Sequence, residues 1–107
     1  MEARSKVLAT LSPNAATETV LYIGPDSSIM HIQGFTCANR GADTSFRLSV
    51  SRKSAATTPP DYVYYDLPIT ANNTFMATLD FDLEARDVIR VYGGTADLSF
   101  VLFGGYQ

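Results

Sequence analysis

Asp87-Val88-Ile89-Arg90-Val91-Tyr92-Gly93-Gly94, followed after Thr95-Ala96 by Asp97-Leu98-Ser99-Phe100-Val101-Leu102-Phe103-Gly104, decides the fold class of this chain. β-Branched and aromatic side chains dominate both runs, and they fit a pleated, half-buried surface better than a helix. Gly93-Gly94 with Thr95-Ala96-Asp97 supplies the turn chemistry of a hairpin. Phe75 to Leu79 continues the pattern upstream, and no segment carries a helical apolar period. The expectation is an all-β protein.

Toward the N-terminus the same punctuation recurs. A strand is expected at Lys6 to Leu11, stopped by Ser12-Pro13-Asn14, and another at Thr19 to Ile23, stopped by Gly24-Pro25-Asp26. The third, Ser28 to Cys37, places Ile29, His31, Gln33, Phe35 and Cys37 on one face and Met30, Ile32, Gly34 and Thr36 on the other. Neither face is cleanly apolar, which predicts a bulge at Gly34 that exchanges the faces. In the fourth, Phe46, Leu48 and Val50 alternate with Arg47 and Ser49, and Arg52 follows on the polar side, as in a sheet wet on one face. Lys53 to Pro60 is expected to be the longest exposed loop. Strands at Tyr62 to Leu67, Phe75 to Leu79, Val88 to Tyr92 and Leu98 to Phe103 complete the set.

Eight short strands at roughly ten-residue spacing predict an antiparallel β-sandwich, jelly-roll-like, of two four-stranded sheets. Their connectivity is not readable from the sequence. At 107 residues the chain is expected to be one domain that buries roughly two thirds of its unfolded surface without a metal or disulfide staple.

A content of 46% hydrophobic against 18% charged residues is that of a globular protein. The 11 acidic and 8 basic side chains leave a net charge of −3, and the basic residues are dispersed, Arg52-Lys53 being the sole adjacent pair. That argues against a nucleic-acid partner, which calls for a basic stripe. The single cysteine, Cys37, excludes an intrachain disulfide and suits a reducing compartment. Val7-Leu8-Ala9-Thr10-Leu11 is too short for a secretion signal, and no apolar run approaches a membrane span. Synthesis in the cytosol and no membrane partner are expected. Asn72-Asn73-Thr74 matches a glycosylation sequon but reads more simply as a turn.

Candidate chemistry is sparse. His31 and Cys37 would have to form any thiol-imidazole pair, yet six residues of extended chain separate them by about 20 Å. Neither can complete a tetrahedral zinc set without carboxylates from elsewhere. Asp80 and Asp82 flank Phe81 and fall on one side of an extended chain, as a weak Ca²⁺ site or an acid pair would require, though solvated strand-end aspartates read the same way. No Gly-x-Ser-x-Gly elbow or phosphate loop is present. No enzyme activity, cofactor or metal is expected.

Asp61-Tyr62-Val63-Tyr64-Tyr65-Asp66 carries more information. Alternation places Tyr62, Tyr64 and Asp66 on one face and Val63, Tyr65 and Leu67 on the other, the second face being read as core. The tyrosine face then suits a subunit or partner interface, packing within the chain, or a sugar-stacking platform. Phe100-Val101-Leu102-Phe103 is apolar on both faces, so the last strand should be paired or buried rather than left as a free edge.

Lys6-Val7-Leu8, Val20-Leu21-Tyr22, Cys37-Ala38-Asn39-Arg40-Gly41, Phe46-Arg47-Leu48-Ser49-Val50, Tyr64-Tyr65-Asp66-Leu67-Pro68-Ile69 and Asp87-Val88-Ile89-Arg90-Val91-Tyr92 follow one another across most of the chain. In this order they resemble small virion structural proteins of tailed bacteriophages, especially those of cyanobacterial and marine hosts. Members of that group act as capsid decoration (cement) proteins or tail accessories. The chain departs from them after Leu21-Tyr22, where Ile23-Gly24-Pro25-Asp26-Ser27 replaces a Thr-Val-Pro-Ala-Gly-like turn. The resemblance implies a homo-oligomeric β-sandwich, for example a trimer, located in the virion on the capsid surface or tail. Its partner would be the major capsid protein or another virion protein. Tyr62, Tyr64 and Phe103 are then expected as interface residues, with Arg47 and Arg52 as polar rim and Met1 to Leu11 as an arm over a neighbour. The alternative is a tail or fibre accessory sandwich that binds host-surface glycan.

Overall fold

The computed structural model describes residues 6–106. Eight strands run β1 (Lys6–Leu11), β2 (Thr19–Ile23), β3 (Met30–Asn39), β4 (Thr44–Ser51), β5 (Tyr62–Ile69), β6 (Thr74–Leu83), β7 (Val88–Gly93) and β8 (Leu98–Tyr106), with a single 3₁₀ turn at Pro59–Asp61. They form two four-stranded antiparallel sheets ordered β1-β8-β3-β6 and β2-β7-β4-β5.

Strands whose numbers sum to nine pair with each other: β1 with β8, β2 with β7, β3 with β6 and β4 with β5. The chain is in effect one long hairpin, turned over between β4 and β5. It is rolled so that β8 also meets β3 and β7 also meets β4. This is the jelly-roll connectivity. β8 is a central strand, paired on both sides as its apolar character requires.

The inward faces of both sheets supply one core. Phe35, Phe46 and Phe100 are fully buried together with Ile32, Leu48, Leu83, Ile89, Leu98 and Leu102. Phe46 sits at the centre of the aromatic cluster, its ring 5.4 to 6.1 Å from those of Phe35, Tyr64, Phe75 and Phe100. Tilted and edge-to-face pairs of this kind add about 0.5–1.5 kcal/mol each to the burial itself.

β3 shows the face exchange expected of it. Met30 and Ile32 point inward, the register shifts between Ile32 and Gly34 on both sides, and Phe35 and Cys37 then point inward. Gly34 is required there, because a Cβ would overlap the Ala77 carbonyl oxygen and crowd the Phe103 ring at 3.1 Å.

Two expectations are corrected. Lys6–Leu11 is hydrogen-bonded into the sheet as β1, so that part of the expected arm is not free. Residues 1–5 of the arm lie outside the described residues. The last strand is paired on both sides as expected, with Phe100 and Leu102 pointing into the core and Val101 and Phe103 on the outer face, partly exposed. Tyr64 turns inward and, half-buried, packs against the core in ring contact with Phe35, Phe46 and Phe75.

The last correction has a specific cause. Between the pairs Phe46↔Leu67 and Leu48↔Tyr64, β4 advances two residues and β5 three, and Asp66 in that bulge has φ 51°. Leu67 does face the core, but the extra residue exchanges the faces expected for Tyr64 and Tyr65, and a further register shift between Leu48 and Ser49 returns Tyr62, opposite Ser49, to the outer face. Asp is among the few non-glycine residues that tolerate this backbone conformation.

Candidate functional site

On the outer face of the β2-β7-β4-β5 sheet, Arg47 of β4 stands opposite Tyr92 of β7. The bulge turns Tyr65 of β5 outward beside it. The guanidinium lies 4.2 Å from each ring, sandwiched between Tyr65 and Tyr92, and its Nε donates to Asp66 Oδ1 at 2.6 Å. Asp66 holds the Arg47 proton still more firmly than usual. A planar cation with two ring contacts and a carboxylate loses little further freedom on binding a ligand nearby.

Tyr62 packs edge-on against Tyr65, with centroids 4.8 Å apart and planes at 80°. The loop after β4 folds back toward the same face. Arg90 Nη1 anchors it by donating to Ser51 Oγ, the Ala55 carbonyl and Thr57 Oγ1, each at 3.1 Å. Asp61 fixes the 3₁₀ turn, accepting from the Thr58 backbone N–H at 2.8 Å and the Thr58 hydroxyl at 3.0 Å, and these bonds hold its carboxyl below the usual range. Between loop and strand lies a depression of about 490 Å³ lined by Thr57, Thr58, Pro59, Tyr62 and Tyr65.

The outer face of the β1-β8-β3-β6 sheet is different in character. Register sets Thr10, Val101, Thr36 and Met76 in one row across the four strands, and Val7, Phe103, Gly34 and Thr78 in the next. Met76 is 70% and Val7 61% exposed. Neither row contains a charge.

At one end of that face His31 is held between two carboxylates of β6. Its Nε2 lies 2.8 Å from Asp80 Oδ1 and its Nδ1 2.9 Å from Asp82 Oδ1. The two aspartates do share a side, as alternation predicts, although Asp80 has φ 51°. The hydrogen bond to Asp82 is the main reason that the His31 pKa is raised, with Asp80 adding to it. Only the imidazolium can donate from both nitrogens.

A pH dependence follows. The folded state binds this proton more tightly than the unfolded state, whose value is about 6.5, so the contribution is complete below that pH and lost as pH rises through the folded pKa. The urea midpoint of the wild type should therefore fall from about pH 5.5 to about pH 8 relative to His31→Gln. Parallel pH profiles for the two proteins would show that the clamp contributes nothing.

His31 and Cys37 are not brought together. Cys37 is inside the core, where burial pushes the thiol up to about 12, while His31 lies on the outer side of the same strand. A thiol so protonated is a poor nucleophile. Among the described residues no group of three or more His, Cys, Asp or Glu side chains could hold a metal.

Of the residues expected at an interface, Tyr62, Arg47 and Phe103 are on outer faces and Tyr64 is not. Tyr65 occupies the outward place expected for Tyr64. Arg52 is 72% exposed beyond the end of β4, beside Glu84 at 3.5 Å and away from Arg47. Sequence reasoning did not find Tyr92, Met76, Thr36 or Val101 as surface partners, because each row joins residues far apart in the chain. Comparison with protein-family models, curated proteins and solved structures finds no match in any of the three. No helix among the described residues is long and apolar enough to cross a membrane.

Proposed function

We propose that this protein is a non-enzymatic structural component of a tailed-phage virion, most specifically a capsid decoration protein that adds to the major capsid protein lattice as a homo-oligomer. The observation that carries the reading is the pair of uncharged rows at the centre of the outer face of the β1-β8-β3-β6 sheet. There Val7, Phe103, Val101 and Met76 crowd the two central rows among threonines. A rigid face with apolar side chains at its centre and hydroxyls around them suits burial against another protein. Jelly rolls recur in viral capsids, which supports the reading by analogy of fold alone.

A decoration protein needs no chemistry. It binds the assembled shell and not its separated subunits, and so stabilises the shell by mass action.

The test is addition of purified protein to capsid shells stripped of it. Met76→Asp with Val101→Lys should weaken binding by about a hundredfold, since each variant charge is buried on docking without a built partner. Thermal unfolding of the variant should stay close to wild type, because both positions face outward, and Val63→Ser should bind normally. Wild-type affinity in the double variant would overturn this surface. A count of a few copies per particle, in place of hundreds, would move the protein from shell to tail.

A further inference from the structure

The depression beside the loop after β4 lies on the opposite sheet from the proposed lattice face, and its argument does not depend on that reading. We propose that it binds a neutral polysaccharide, gripping residues within the chain rather than its terminus.

Four observations carry this. First, Tyr62 and Tyr65 form an aromatic corner, their rings at 80° and 4.8 Å apart. The C–H face of a pyranose packs on such rings, whose faces carry the negative end of the quadrupole. Second, the corner is preorganised. Arg47, locked by Asp66 and Tyr92, braces Tyr65 from within the sheet, so little rotamer entropy remains to be lost on binding.

Third, the polar groups are mixed and neutral. Thr58 gives its hydroxyl hydrogen to Asp61 and keeps lone pairs that accept. Thr57 accepts from Arg90 and retains a hydrogen to donate, its contact with Ser49 being long at 3.5 Å. The Tyr62 and Tyr65 hydroxyls make no hydrogen bond among the described residues. This set matches a ligand made of hydroxyls, which both give and receive. The nearby carboxylates are turned to other work, Asp61 to Thr58 and Asp66 to Arg47. With no charged side chain in the lining, nothing selects a uronate or a phosphate.

Fourth, the site is broad and shallow. About 490 Å³ is within the range of small-ligand sites, but it lies open along the edge strand instead of closing around an end. A chain can pass through it.

The experiment is a two-dimensional amide NMR titration of the whole protein with maltohexaose, cellohexaose, xylohexaose and mannohexaose, with decaproline in a parallel series. At millimolar concentration at least one saccharide should shift the Thr57, Thr58, Tyr62 and Tyr65 amides while those of β1 and β6 stay fixed. Tyr65→Ala should weaken that binding by about tenfold, the size of a lost ring contact. Tyr62→Leu, which keeps the volume and removes the ring, should do the same, and each variant's own spectrum reports that it is folded. No shift with any of the four saccharides overturns the proposal. Shifts confined elsewhere, or produced by decaproline and not by the saccharides, also overturn it; the last result would make the site a proline-rich peptide groove.

Discussion

Phe46→Ala should lower the unfolding free energy by about 4 kcal/mol, the range for deleting a buried aromatic side chain. Phe46 is fully buried and touches the rings of Phe35, Tyr64, Phe75 and Phe100, which come from both sheets. Alanine would remove the shared member of four ring pairs at once. Its neighbours are held by β3, β5, β6 and β8, so the cavity can collapse only in part. Against a total of about 5–15 kcal/mol for a natural domain, the loss is large. Urea unfolding measures it as a fall in midpoint with unchanged slope. Val63→Ala, on the exposed side of edge strand β5, should stay within about 0.5 kcal/mol of wild type. A loss at Phe46 no larger than that control would mean that the two sheets do not meet there.

Asp87→Ala should cost about 3 kcal/mol by a different route. This buried carboxylate accepts from the Glu84 backbone N–H at 3.0 Å through Oδ2 and from the Lys53 N–H at 3.1 Å through Oδ1. Arg52 Nε stands 3.7 Å away, and the Asp87 carbonyl accepts from Gly24 at 2.9 Å. One residue therefore ties the turn before β7 to the loop after β4, while its backbone holds the turn after β2. Removing it leaves two part-buried backbone donors without their acceptor. Asp87→Asn keeps one carbonyl oxygen and should lose about half as much. Hydrogen exchange at the Lys53 and Glu84 amides should rise sharply in the alanine variant. If the alanine and asparagine variants are equally stable, the second acceptor is unimportant.

Much of the fold was legible in the chain. Turn residues such as Ser12-Pro13-Asn14 and Gly24-Pro25-Asp26 mark where β1 and β2 end, because proline and glycine act on the backbone locally. The mixed faces of β3 signalled a bulge, since no single alternation could bury both Ile32 and Phe35. The face of Tyr64 was not legible. It depended on one extra residue at Asp66, and a period of two turns one inserted residue into a complete inversion.

The candidate surfaces lay further out of reach. Arg47 and Phe103 could be placed on outer faces by alternation, but Tyr65 with Tyr92, and Val101 with Thr36 and Met76, are neighbours only through strand pairing. Local sequence therefore established that this is an eight-stranded β protein, where its turns lie, and that its single cysteine and single histidine make no catalytic pair. Pairing and register across distant strands established the jelly-roll order, the braced arginine and both outer faces. The physical reason is range: turn and strand preferences act over a few residues, whereas a sheet face is assembled from segments whose separation the backbone alone does not encode.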